Sequence, residues 1–153
     1  MNVLILRAAG VLACVQGLAH GTLMVIAKPK HGPEEVAVVE AMKNFAFDFA
    51  GSLHSYWDMY FGYALMVAGA CIVEGLLLLV LAPMASDPKR LRPVLLLLVA
   101  ANIAHAALVL RYFFLLPLVF DGLVAVLITL AIPRWGAAKG IGEEIDHHAH
   151  LGA

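Results

Sequence analysis

Long apolar segments separated by short charged ones dominate this chain. Four segments of 18 to 21 residues hold only two charged side chains between them, Glu74 and Asp121. An α-helix needs about 20 apolar residues to cross a hydrocarbon core about 30 Å thick. Membrane β-strands alternate between apolar and polar residues, whereas Leu76–Leu79 is a continuous apolar run. The pattern predicts an all-α membrane protein with four spanning helices, over about 5–27, 59–82, 93–111 and 113–132.

Basic residues at the helix ends predict the orientation, because cytoplasmic ends of membrane helices are enriched in Lys and Arg. In an up-down-up-down four-helix bundle, six basic residues fall at the end that holds both termini: Arg7, Lys89, Arg90, Arg92, Arg134 and Lys139. Four fall at the other end: Lys28, Lys30, Lys43 and Arg111. We therefore expect both termini to be cytoplasmic, in a bacterial inner membrane.

The connection between the first two spans has a helical pattern of its own. Glu34 and Glu35 suit the first turn of a helix, since carboxylates are stabilised by the positive end of the helix dipole. The apolar residues that follow recur at helical spacing. This predicts an amphipathic interfacial helix over 34–50. The last segment, 136–153, is polar and contains glycine, which predicts a mobile tail.

Composition narrows the class of protein further. The chain is 63% hydrophobic and 14% charged, with a mean hydropathy of +0.91. Soluble domains are nearer 45–50% apolar and 25% charged, so a soluble or disordered protein is excluded. A net charge of −1 leaves no polybasic surface for nucleic acid. Two cysteines make neither a disulfide framework nor a zinc motif.

Ionisable residues inside a membrane span cost several kcal/mol, so each is expected to have a partner or a function. On the predicted topology, His20, His105 and Asp121 lie at similar depth in the outer half of three different helices. Gln16 and Asn102 lie one turn deeper, on the faces of His20 and His105. Three hypotheses fit this cluster: an outward-facing polar pocket, hydrogen bonding that only holds helices together, and a metal site. No His-x-x-x-His or Glu-x-x-His spacing supports a metal.

Four further residues are candidates for the same region or its surroundings. His54 and Asp58, four residues apart, would close the site from above if the second span begins early. Arg111 lies at the rim, placed to pair with Asp121 or to bind an anion. Glu74 is expected to lie apart from the cluster, in the cytoplasmic half. It is interpreted either as a proton-relay group or as a neutral carboxylic acid that hydrogen-bonds across the bundle.

Small residues on the first span predict close helix packing. Gly17 and Gly21 form a GxxxG pattern, which lets two helices approach closely. Packing within the chain is the favoured interpretation. A homo-oligomer or a partner membrane subunit seated on Gly17 and Gly21 is the alternative.

The aromatic string Ser55-Tyr56-Trp57-Asp58-Met59-Tyr60, together with His20-Gly21 at the end of the first span, resembles a group of uncharacterised bacterial four-helix membrane proteins. The layout is also loosely similar to that of DoxX-like membrane proteins. The resemblance covers the first 80 residues in motif and the remainder in hydropathy. It implies a four-helix membrane fold and a role for Asp58 and its neighbours, but no catalytic residue and no cofactor.

Three functions therefore fit the sequence. The first is binding or transport of a small lipophilic or polar ligand through the outward-facing pocket. The second is an accessory subunit of a larger membrane complex. The third is a membrane-embedded isomerase or oxidoreductase that uses His20, His105 and Asp121 for acid–base chemistry. Buried ionisable groups that face a shared cavity favour the first and third functions, and groups that face the exterior favour the accessory subunit.

Overall fold

The computed structural model describes residues 2–86 and 88–132. Its helices are α1 (Asn2–Ile26), α2 (Pro33–Asn44), α3 (Tyr56–Leu81), α4 (Pro88–Tyr112) and α5 (Leu115–Ala131). A 3-10 helix, Ala82–Ser86, joins α3 to α4, and two short strands, β1 (Ala46–Phe49) and β2 (Ser52–Ser55), precede α3. The all-α prediction is confirmed apart from this hairpin. The predicted tail over 136–153 lies outside the described residues.

Within the described part of the chain, three helices are long and apolar enough to cross a membrane: Val3–Ile26, Tyr56–Met84 and Arg90–Tyr112. The chain is thus a small helical protein with three candidate membrane spans. The fourth predicted span is shorter than expected, since α5 has 17 residues and a length of about 26 Å. Residues 113 and 114 are used by the turn after α4, where Phe114 is the extended N-cap of α5.

The four long helices alternate in direction. One buried cluster joins the start of α1 and of α4 to the end of α3 and of α5. Its fully buried large side chains are Leu6, Leu78, Leu95, Val124 and Ile128. We call these five residues the plug, because they fill the interior at this end of the protein. The opposite end, where the hairpin connects to α3, is the hairpin end.

Helices α1 and α3 pack with their backbones almost in contact. A Cβ atom at Gly75 would lie 2.5 Å from the carbonyl oxygen of Gly10, and one at Gly17 would lie 2.6 Å from the carbonyl oxygen of Ala68. A Cβ at Gly21 would lie 3.3 Å from that of Ala68. Gly17 and Gly21 are therefore used inside the chain. This agrees with the favoured interpretation of packing within the chain, since α3 occupies that face of α1; an oligomer or partner subunit through these glycines stays a prediction.

The predicted interfacial helix is confirmed for Pro33–Asn44 and wrong for the residues after it. The chain becomes extended at Phe45, and β1 pairs antiparallel with β2. The turn between them places Ala50 and Gly51 at positive φ, 54° and 83°. Two consecutive positive φ values are typical of the tightest hairpin turns. Phenylalanine at 45, 47 and 49 is the period-two pattern of a strand, which competes with the helical spacing of the residues before it.

Candidate functional site: a cavity at the hairpin end

A cavity of about 230 Å³ lies among α1, α3, α4 and α5 at the hairpin end. Its wall is mostly aliphatic and aromatic, with contributions from all four helices. Polar side chains are few among the lining residues: Gln16, His20, Tyr60, Tyr63, Cys71 and His105. A largely apolar wall with a few polar groups is typical of small-molecule sites.

A polar triad of Gln16, His105 and Asp121 joins three helices at this cavity. Asp121, on α5, is only 2% exposed. Its Oδ1 accepts a hydrogen bond of 2.7 Å from the Gln16 side-chain amide on α1. Its Oδ2 lies 3.1 Å from Nδ1 of His105 on α4. The carboxylate is thus held behind the cavity wall by one side chain from each neighbouring helix.

The contact between His105 and Asp121 leaves Oδ2 of the carboxylate and the imidazole ring without a well-aligned hydrogen bond to each other. Asp121 Oδ2 is buried and accepts no well-aligned hydrogen bond from any described residue, so His105 Nδ1 approaches it at ion-pair distance only. The His105 side chain is 37% exposed and forms part of the cavity wall. With Nδ1 facing the carboxylate, Nε2 is the imidazole nitrogen left for the cavity.

A second polar layer bridges α3 and α4. The Asn102 side-chain amide donates to Oε1 of Glu74 and, at 2.9 Å, to the carbonyl oxygen of Leu98. Asn102 is 5% exposed, and Glu74 lies within electrostatic range of both Asp121 and His105. The prediction that Glu74 lies apart from the cluster is therefore wrong. Its partner is the Asn102 amide of α4, which is the cross-helix hydrogen bond that one of the two interpretations of Glu74 expected.

His20 lines the cavity from α1, one helical turn from Gln16. No hydrogen bond or ion pair joins His20 to Asp121 among residues 2–86 and 88–132. The structure thus places His20 and His105 in the wall of one cavity and Asp121 behind that wall. It makes a direct pair of only His105 and Asp121.

Three other candidates lie outside the cavity wall. Asp58 forms a capping box with Ser55: its Oδ2 accepts from the Ser55 backbone N–H at 2.8 Å, and its own N–H donates to Ser55 Oγ at 3.1 Å. His54 is part of β2. Arg111 makes no described ion pair with Asp121, and its guanidinium lies 5.5 Å from the ring centre of Tyr112. Neither His54 nor Asp58 is among the lining residues, and Asp58 is used as the cap of α3. Arg111 is exposed and does not lie at the cavity wall, and the binding of an anion by Arg111 stays a prediction.

The aromatic part of the wall was missed in the sequence: Tyr60 and Tyr63 line the cavity from α3, and Phe120 lines it from α5. For the two tyrosines the signal is helical spacing, since residues 60, 63, 64, 67 and 71 fall on one face of a helix. In the part of the chain that the structure describes, no group of three His, Cys, Asp or Glu side chains is placed to hold a metal ion.

Comparison of the chain with protein-family models, curated proteins and solved structures found no match. The resemblance to DoxX-like proteins stays a prediction. The site is therefore interpreted from its own geometry.

Proposed function

We propose that this protein binds a small lipophilic molecule with a polar end in the cavity at the hairpin end. In this proposal, α5 crosses the bilayer beside the three longer helices, so that the cavity lies inside the membrane. The observation that carries the proposal is the cavity itself, an apolar space with the polar triad of Gln16, His105 and Asp121 at its wall.

The size of the cavity supports a ligand larger than a single ring. An apolar cavity of about 150 Å³ in another protein binds benzene, and this one measures about 230 Å³. The wall also provides aromatic faces, from Tyr60, Tyr63 and Phe120, against which a flat apolar body packs.

Binding is favoured over transport because the cavity faces a closed interior. The plug residues are 0–1% exposed and belong to α1, α3, α4 and α5. They are aliphatic, so beyond the layer of Asn102 and Glu74 a polar molecule has no hydrogen-bonding groups to follow through the plug. A pocket that is accessible from one side suits a binding protein.

The arrangement of the ionisable groups supports binding over an accessory-subunit role. Asp121 contacts His105 on α4 and Gln16 on α1, and Glu74 accepts a hydrogen bond from Asn102 on α4. These contacts within the chain offset part of the cost of desolvation, which reduces the need for a partner helix. The paired His105 and Asp121 favour acid–base catalysis as the second candidate, since the imidazole faces the space where a substrate would lie.

For localisation, we propose a bacterial inner membrane with the plug end at the cytoplasmic side. Arg90 and Arg92 belong to α4 near this end, in agreement with the preference of basic residues for the cytoplasm. Reporter fusions after Ala153 and after Asn44 are expected to report opposite compartments. The same compartment for both fusions contradicts this topology.

A pair of alanines in α3 provides the test of ligand binding. Ala64 lines the cavity, whereas Ala70 does not line it and is exposed. Native mass spectrometry of the full chain released from its membranes is expected to show a bound small molecule for the wild type and for Ala70→Phe. Ala64→Phe fills the cavity and is expected to lose it. Equal retention by both variants, or no bound species in any of the three proteins, argues against the proposal.

A further inference from the structure

The head group of the ligand is constrained by the hydrogen-bonding state of His105. A carboxylate has only acceptor oxygens, and Oδ1 of Asp121 already accepts from Gln16. Oδ2 is buried and close to Nδ1 of His105. Because a buried carboxylate oxygen without a donor is costly, the favoured tautomer of a neutral His105 carries its proton on Nδ1.

This tautomer makes Nε2 an acceptor. A neutral imidazole has one N–H donor and one nitrogen with a free lone pair. With the proton on Nδ1, the lone pair of Nε2 is not used by Asp121, and the His105 side chain is part of the cavity wall. None of the described residues donates a hydrogen bond to it.

We infer that the cavity selects lipophilic molecules whose polar end is a hydroxyl, that is, phenols or alcohols, and that this hydroxyl donates a hydrogen bond to Nε2 of His105. The inference rests on the proposed function and names the class of ligand for the same site. Asp121 acts here as a positioning residue, since it touches His105 and not the cavity.

The inferred contact predicts strong discrimination against ligands without a donor. An ether or ketone of the same shape brings an acceptor toward the lone pair of Nε2, so no hydrogen bond forms. A site built to bond a hydroxyl rejects an analogue without it far more strongly than an apolar pocket rejects a change of one methylene group. We expect the Kd values of the hydroxyl ligand and its analogue to differ at least about tenfold. A tenfold difference corresponds to about 1.4 kcal/mol of binding free energy.

The test compares 2-naphthol with 2-methoxynaphthalene. The two probes share a flat apolar body, and only the first has a hydroxyl donor. Binding of each to the purified full chain in lipid nanodiscs at pH 8 is measured by equilibrium dialysis, with empty nanodiscs as the blank. The wild type is expected to bind 2-naphthol at least about tenfold more tightly.

Two histidine variants locate the contact. His105→Phe keeps an aromatic ring but removes Nε2, so the affinity ratio of the two probes is expected to fall to near one. His54→Phe changes a histidine of β2 that lies outside the cavity wall and is expected to keep the wild-type ratio. A ratio that survives His105→Phe overturns the assignment of the contact to His105.

The wild-type measurement remains decisive if a variant fails to fold. Similar affinities of the wild type for both probes overturn the inference and leave the proposed binding function in place. Failure of both probes to bind above the blank contradicts the proposed function together with the inference.

Discussion

Substitution of Gly75 by alanine is expected to destabilise the protein by pushing α1 and α3 apart. The new Cβ would lie 2.5 Å from Cys14 Sγ, 2.5 Å from the Gly10 carbonyl oxygen and 2.8 Å from the Cys14 backbone nitrogen. Two of these atoms belong to the backbone of α1 and move only if the helix moves. Restoring ordinary van der Waals distances near 3.5 Å requires a displacement of about 1 Å.

The magnitude follows from the loss of packing along this seam. A gap of 0.5–1 Å forfeits about a quarter to a half of each atomic contact energy across it. Overpacking of a well-packed interior typically costs about 1–3 kcal/mol. Alanine in place of glycine in an unobstructed helix instead gains about 0.5–1 kcal/mol. Gly69 is the matched control, since it lies in the same helix and its Cβ would meet nothing within 4 Å.

We therefore expect Gly75→Ala to be less stable than Gly69→Ala by about 1.5–4 kcal/mol. The assay is reversible unfolding in mixed micelles, followed by circular dichroism, on both variants and the wild type. Gly69→Ala is expected at or slightly above the wild type. Equal stability of the two variants refutes the packing of α1 on α3 through these glycines.

Three further predictions test the triad, the cap of α3 and the start of α2. Asp121→Asn keeps the shape of the side chain but changes its partner groups. It is expected to weaken 2-naphthol binding at least several-fold, while the free energy of unfolding changes by less than about 1 kcal/mol. A large loss of stability with unchanged binding indicates a purely structural role. Ser55→Ala removes the cap of α3 and is expected to lower the free energy of unfolding by about 1 kcal/mol in the same assay. Ser52→Ala in β2 is the control and is expected to leave it unchanged. Equal effects of the two substitutions contradict the capping role. The His31 backbone N–H donates a hydrogen bond to the Glu35 carboxylate, which lowers the pKa of Glu35. This bond therefore orders the turn from His31 to Glu35 at any pH above the ordinary glutamate pKa. The bond is lost as the pH falls through the lowered pKa of Glu35. The His31 amide resonance is expected to follow that titration in the wild type and to be independent of it in Glu35→Gln; the same titration in both contradicts the contact.

The sequence predicts the helices of this fold well because apolar length is a strong signal. Long uncharged runs identified α1, α3 and α4 to within about five residues at each end. The start of α3 at Tyr56 was missed, although Ser55 and Asp58 have the spacing of a capping box. The hairpin was missed because the helical spacing of 36–49 was followed past the point where phenylalanine begins to alternate. An alternating pattern of four residues is a weaker signal of a strand than helical spacing over twelve residues is of a helix.

The candidate site was predictable only as a set of polar residues on several helices. The cost of burying His105 and Asp121 in apolar surroundings predicts that they meet. Which atoms meet depends on the rotation of each helix about its axis, and the sequence does not determine that rotation. Glu74 shows this most clearly, because it was placed apart by its depth, whereas its partner Asn102 was placed with His105 by its helix face. Gly17 likewise predicted close packing without indicating that α3 is the neighbour.

Photolabelling tests the central claim most directly. A 2-naphthol derivative with a diazirine on the ring is irradiated with the full chain in nanodiscs, and the labelled residues are identified by peptide mass spectrometry. The account predicts labels on the cavity wall, at Tyr63, Val67 and Val109, that disappear with excess unlabelled 2-naphthol. Labels spread over exposed residues outside the cavity wall, such as Val73 and Leu97, unchanged by the competitor, would contradict it.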